Sequence, residues 1–263
     1  MKTVLRYPGG KSRAVKHLLE HIPVQASGQQ VTVLSPFFGG GALELALLDR
    51  GYHIIANDKF EPLYNFWVAL KNEKDRLVEE VKKLHPITKE LFFECRKRVI
   101  DMSIPNVERA ACYFALNRSS FSGCTLSGGF SAESGRARFN EASIARLNQV
   151  DLRNIEFYNM DFVPFLEQFG SSRNTFIYLD PPYLLEGTGN KLYGNQGDMH
   201  ESFDHDGLQK VLSRIDVATK WIMSYNDCKE VRTLYDNKDI VPMNWAYGMN
   251  KSKKSSELLL KHV

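Results

Sequence analysis

Apolar positions fall along this chain in short buried-type runs alternating with helical spacings, and the alternation is interrupted once. Val31–Leu34 reads as a strand cut by Ser35 and Pro36. After the turn Gly39-Gly40-Gly41, residues Leu43, Leu47 and Leu48 recur at helical spacing over Ala42–Asp49, and Gly51 ends that helix. His53–Asn57 is a second strand, ending at Asp58. Strand, helix and strand with short joints predict a right-handed parallel βαβ unit. From about Glu61 to Val150 the pattern turns helical, at Pro62–Leu84, Lys89–Val99, Val107–Asn117 and Ala142–Val150, around one long glycine-rich loop at Arg118–Asn140. Strands resume at Ile155–Asn159, Thr175–Leu179, Trp221–Ser224, Asp239–Val241 and Glu257–Lys261. Helices are predicted at Ala14–Ile22, Phe162–Phe169, Asp206–Ile215 and Asp227–Tyr235. No clear helix separates the last two strands, which suits a hairpin with the final strand antiparallel. Leu184–Phe203 is polar, contains glycine and reads as a mobile lid.

The expected class is therefore α/β, with about seven strands and a helical insert after the second. Residues 1–60 and 151–263 form one domain, and residues 61–150 form the insert. Composition narrows the setting. Over 263 residues, 43% hydrophobic and 25% charged content are ordinary for a globular chain. No stretch approaches the roughly 18 apolar residues of a membrane helix, so no membrane partner is expected. Met1–Arg6 has no apolar signal core, and the four cysteines include no C-x-x-C pair. The expectation is a cytoplasmic protein, or one found wherever its substrate resides, with no disulfide framework and no metal. A net charge of +3 permits nucleic-acid binding without demonstrating it.

The most informative stretch is Ile177-Tyr178-Leu179-Asp180-Pro181-Pro182-Tyr183. An apolar run ends in an acid, two prolines and an aromatic ring. Pro181 and Pro182 stiffen the chain and lack backbone donors. They set the Asp180 carboxylate, the Pro181 carbonyl and the Tyr183 ring at a strand's C-terminal end, where open α/β sheets bind ligands. Two acceptors and one π-face suit a planar amine on an aromatic ring. A strand followed by a Pro-Pro turn with a surface tyrosine is the plain alternative. Phe38, Gly39 and Gly41 lie between a strand and a helix, where glycines let a ligand approach the backbone. Asp58 closes the next strand and is placed to hold ribose hydroxyls. A tight turn with a capping acid would read the same way. Tyr7-Pro8-Gly9-Gly10-Lys11 offers a lysine on a glycine loop, without Walker A spacing, or simply an exposed turn. Asp161 and Phe162 suit an adenine amine and ring, or a helix N-cap with a core phenylalanine. In the insert, Asn117, Arg118, Phe121, Ser122, Arg136 and Arg138 mix polar, basic and aromatic groups on a glycine frame. That mixture suits phosphate contact and base stacking, or a solvated loop. Lys251 and Lys253 add a basic cluster.

Taken in order, these segments resemble the Dam-type adenine-N6 DNA methyltransferases, the class-alpha or D12 family, over nearly the whole chain. The resemblance implies a Rossmann-like seven-stranded methyltransferase sheet with the last strand antiparallel and a helical target-recognition insert. It implies S-adenosyl-L-methionine as cofactor, duplex DNA as partner and a flipped-out adenine as acceptor. Tyr7, Lys11, Phe38, Gly39, Gly41, Asp58, Asp161, Phe162 and Asp180 match cofactor-contacting positions. Asp180-Pro181-Pro182-Tyr183 matches the catalytic motif. Phe121 falls at the position of a wedge aromatic. Relatives that read GATC carry an arginine shortly afterwards, where this chain has Leu126, which argues against GATC. A cognate restriction endonuclease and the oligomeric state stay open. A cytosine-N4 or RNA amino-methyltransferase would use the same acceptor pair. A dinucleotide-dependent dehydrogenase would leave Asp180–Tyr183 unused, and a non-enzymatic DNA binder would leave the whole set idle.

Overall fold

The structure, a computed structural model, describes residues 1–26, 30–172, 174–184, 202–246 and 254–262. Its strands are β1 (Thr32–Ser35), β2 (His53–Asn57), β3 (Ile155–Tyr158), β4 (Thr175–Leu179), β5 (Lys220–Asn226), β6 (Asp239–Ala246) and β7 (Lys254–His262). They form one sheet in the order β3-β2-β1-β4-β5-β7-β6. The first five are parallel, with Leu34 level with Ile55 on one side and Ile177 on the other. β7 runs antiparallel to both β5 and β6, so the expected hairpin is present, with β7 inserted inside the edge strand β6. Pro242 sits on that edge strand, where a missing backbone donor is tolerated.

Parallel strands with apolar residues on both sides need cover on both faces. Alternate residues divide accordingly. Val33, Ile54, Phe176 and Tyr178 face a core shared with α1 (Val15–Leu19), α2 (Ala42–Leu48) and the insert. Leu34, Ile177, Leu179 and Met223 face a second core. That core is closed by α9 (Phe162–Phe169), α10 (His205–Arg214) and α11 (Lys229–Leu234).

The insert comprises α3 (Glu61–Asn72), α4 (Lys74–Lys83), α5 (Lys89–Arg98), α6 (Asn106–Ser119), α7 (Ala132–Arg138) and α8 (Glu141–Ala145). The first core runs into it without a break. Phe66 of α3 stacks on Phe114 of α6 at 5.8 Å and 9°, and Trp67 meets Phe38 edge-on at 5.2 Å. All four rings are buried, and each contributes about 1.5–3 kcal/mol of burial.

Several segments differ from the sequence expectation. The single helix expected over Pro62–Leu84 is two, because Glu73 leaves helical geometry at φ −133° and ψ 39°. The loop expected over Arg118–Asn140 contains a 3-10 turn, Phe121–Gly123, and the helix α7. Ser131 caps α7 by accepting from the Ser134 amide, and Gly135 is buried beside Ile87 and Ser119. Both last strands extend several residues beyond the expected runs. Most of the expected lid, Leu184–Phe203, lies outside the described residues.

Because β1 to β5 are parallel, their C-terminal ends share one edge. The strand order reverses between β1 and β4, which opens a crevice there.

Candidate active site

That crevice is a cavity of about 520 Å³ bordered by Tyr7–Lys11, Phe37–Gly41, Asp58, Asp161–Phe162, Asp180 and Phe203. Its size suits a nucleoside-type ligand. The turn after β1 supplies a floor that only glycine can form. Gly39 and Gly41 have φ of 50° and 63°, and a Cβ on Gly39 would lie 2.9 Å from the Tyr7 ring. Trp67 fixes the turn from below by donating to the Gly39 carbonyl at 3.1 Å. Asp58 fixes it from the side, accepting from the Gly39 amide at 2.9 Å and the Phe60 amide at 3.0 Å. Burial pushes the Asp58 carboxyl up to about 6, against the pull of those two amides. Phe38 borders the cavity, but its ring packs edge-on between Trp67 and Phe157 and belongs to the core. Its side chain supports the turn.

Asp180 leaves β4 directly into the cavity. Its Oδ1 and Oδ2 accept from Lys11 Nζ at 2.7 and 3.0 Å. Burial raises the Asp180 carboxyl above its ordinary range, with Lys11 opposing. Burial works against the Lys11 charge, but Asp180, Glu257 and Tyr178 together hold that amine above the usual lysine range. The same Nζ stands 4.9 Å over the centre of the Tyr183 ring. Tyr225 stacks on Tyr183 at 5.8 Å and 20°, and the Tyr183 phenol, raised by burial, faces the Asp180 and Glu257 carboxyls. Lys11 thus lies where Asp180 and the Tyr183 ring converge. Nearby Glu44, buried on α2, accepts from Ser35 Oγ at 2.6 Å, and burial pushes it up to about 7.

Asp161 caps α9 through the Val163 amide at 3.1 Å and pairs with Lys59 at 2.8 Å. Phe162 is buried in an aromatic trio with Phe37 at 5.7 Å and Phe203 at 5.2 Å. Sequence reasoning missed Phe37, Phe203 and Lys59. It also missed two asparagine clamps. Asn57 accepts from the Met160 amide and donates to the Met160 and Pro36 carbonyls, all at 3.0 Å. Asn226 does the same with both backbone groups of Leu184 at 3.1 Å, holding the chain just after Tyr183. The only available signal was a polar residue closing a strand.

In the insert the expected contacts divide. Asn117 is fully buried and clamps the Arg6 backbone, accepting at 2.8 Å and donating at 2.7 Å. Arg118 is buried and donates to the Arg138 and Val4 carbonyls at 2.9 and 3.3 Å. Both were expected to touch DNA; their polar groups instead bind the N-terminal segment to the insert. Phe121 is 71% exposed, and Arg136 and Arg138 are exposed. Ser122 lies in the same 3-10 turn as Phe121. Arg96 holds the following loop through the Leu126 and Gly128 carbonyls. Lys251 and Lys253 lie outside the described residues. Among the described residues no group of three or more His, Cys, Asp or Glu could hold a metal ion, and no helix is long and apolar enough to cross a membrane.

The family described as D12 class N6 adenine-specific DNA methyltransferase matches residues 7–249. The type II methyltransferase M.MjaIII of Methanocaldococcus jannaschii is 28% identical over 203 residues, covering 70% of this chain and 69% of that protein. The type II methyltransferase M.CviBI of Paramecium bursaria Chlorella virus NC1A is 26% identical, with 70% and 69% covered. Among solved structures, precorrin 8W decarboxylase of Methanobacterium thermoautotrophicum overlaps 99% of this chain and 95% of its own, at 10% identity and a TM-score of 0.41. An overlap that weak carries nothing about activity.

Proposed function

Because the chain belongs to the D12 class N6 adenine-specific DNA methyltransferases, an S-adenosyl-L-methionine-dependent family, we propose that it methylates N6 of an adenine turned out of duplex DNA into the β1–β4 crevice. One observation carries this reading. The Asp180 carboxylate, held on Lys11 at 2.7 Å, opens into the same cavity as the Gly39–Gly41 floor.

The cavity fits the cofactor. The Gly39–Gly41 turn borders it with bare backbone, Asp58 offers carboxylate oxygens beside it, and Phe162 with Phe37 and Phe203 offers an aromatic wall. When bound there, S-adenosyl-L-methionine supplies a sulfonium-activated methyl group. Asp161 stands at the rim of that wall, where it would accept from an adenine amine by releasing Lys59.

The acceptor side follows from the chain's own groups. An adenine amine has its lone pair delocalised into the ring and is a poor nucleophile. Acceptance of its N–H bonds by Asp180 and the Pro181 carbonyl draws the nitrogen toward tetrahedral geometry and localises that lone pair. Lys11 now occupies the junction of Asp180 and Tyr183. The incoming amine therefore replaces the ammonium on at least one Asp180 oxygen. Lys11 opposes the upward push of burial on Asp180 and holds the carboxylate in place until then, so the acceptor is preorganised. Turning the base out costs a few kcal/mol. Stacking in the pocket and insertion of the exposed Phe121 offset it.

The test is expression in a host whose DNA lacks methylated adenine, followed by base analysis and mapping of the modified positions. N6-methyladenine at a fixed sequence is expected. N4-methylcytosine, or methylation confined to RNA, would overturn the proposal.

A further inference from the structure

Two arginines from distant segments, Arg6 and Arg138, reach the rim of the crevice, and Arg118 and Arg146 stand behind them. Arg6 and Arg138 border the cavity itself. Arg118 lies beneath, its guanidinium tied to the Arg138 and Val4 carbonyls. Arg146, in the 3-10 turn after α8, is close enough to repel it. Burial, then Arg146, Arg6 and Arg138, lowers the Arg118 guanidinium to about 10. Arg6 is lowered by burial and by Arg138. Among the described residues none of the four is in an ion pair with a carboxylate.

Such a cluster is costly unless an anion completes it. The fold nevertheless holds it firmly. Asn117 fixes the Arg6 backbone on both sides. Gly123, at φ 76°, packs so closely on Arg6 that a Cβ would lie 2.5 Å from its carbonyl oxygen. Guanidinium forks match phosphate oxygens. The rim between the exposed Phe121 and the cavity is where a strand carrying a turned-out nucleotide must cross.

We propose that Arg6, Arg138 and Arg146, set on the buried Arg118, form one site for a single backbone phosphodiester of the target strand, beside the turned-out nucleotide. This rests on the reading of the chain as a DNA methyltransferase and names the group that anchors its substrate.

The test uses the full chain with Arg138→Gln, Arg146→Gln and the double variant. Both side chains are exposed, so the fold should survive, and thermal unfolding checks that it does. Duplex affinity is measured across about 50–200 mM salt, on a duplex carrying the mapped methylation site and on a scrambled one. Each single variant should flatten the salt dependence. The double variant should lower its log–log slope by about 0.9, the value for one lost phosphate contact. Both duplexes should be affected equally, and lysine at both positions should restore the slope. An unchanged slope, a loss confined to the methylation-site duplex, or a fall near twice that value would overturn the shared phosphate site. A wild-type chain that binds neither duplex would sink the DNA reading itself, a failure visible before any variant is made.

Discussion

The pocket and its rim are wired in opposite ways. In the pocket the named charges have internal counterparts: Lys11 on Asp180, Asp58 on two backbone amides, Glu44 on Ser35. On the rim Arg118 is repelled by Arg6, Arg138 and Arg146, the guanidiniums of Arg6 and Arg118 meet backbone carbonyls and no carboxylate among the described residues, and Phe121 stands in solvent. Groups that hold reacting atoms gain from a geometry fixed before the ligand arrives. Groups that capture a polyanion gain from leaving their attraction unspent. The two regions are joined by Asn117, which ties the rim to the segment leading into Tyr7–Lys11.

The largest expected effect lies in the pocket. Asp180→Ala should lower methyl transfer by about 10³-fold in single-turnover assays, while calorimetry still detects weakened cofactor binding. Near-normal turnover would break the pocket half of the comparison. Tyr183→Ala should cost about 1–3 kcal/mol of transition-state stabilisation through the lost stacking face. Tyr183→Phe keeps the ring and should do much less. Equal damage from both would shift the role to the hydroxyl that faces Glu257.

The link between the regions is tested by stability. Asn117→Ala leaves a backbone amide and carbonyl of Arg6 without their clamp, costing about 1–3 kcal/mol. Chemical denaturation should show that loss; an unchanged midpoint would mean the clamp is dispensable.

Burial of the pocket's carboxyls also predicts a pH dependence. Glu44, at about 7, and Asp58, at about 6, lie above their unfolded values of 4.5 and 3.8. The folded chain then holds more protons across that window, so stability falls as pH rises. The contribution is present below pH 4 and is lost by about pH 7, on the order of 3 kcal/mol for each group. Glu44→Gln should flatten the upper part of the Tm-against-pH curve, and an equally steep curve would refute the assignment. The smallest effect lies on the rim. Phe121→Ala should leave stability within about 0.5 kcal/mol, because the ring is exposed. It should still weaken productive duplex binding several-fold, read as a higher KM for DNA; an unchanged KM would remove the wedge.

Much of the pocket was legible because its chemistry sits where strands stop. Apolar runs locate β1, β2 and β4; Asp58 and Asp180 directly follow the last two, and the Gly39–Gly41 turn comes shortly after the first. The asparagine clamps were not legible. Asn57, Asn117 and Asn226 act as peptide mimics on Met160, Arg6 and Leu184, and each pairing spans dozens of residues of sequence. Asn117-Arg118 reads as a polar surface pair, yet the N-terminal segment covers both. The helix α7 was hidden by Gly135, which lowers helix propensity yet sits buried inside it. Phe203 follows a long polar stretch, so nothing local connects it to Phe162.

The central claim is that Asp180 exchanges the Lys11 ammonium for the amine of a turned-out adenine. The most direct measurement is a crystal structure of the chain with its target duplex and a non-reactive cofactor analogue. N6 should lie within hydrogen-bond distance of the Asp180 carboxylate and the Pro181 carbonyl, with Lys11 withdrawn from at least one carboxylate oxygen. An adenine seated elsewhere, with Lys11 still on both oxygens of Asp180, would contradict it.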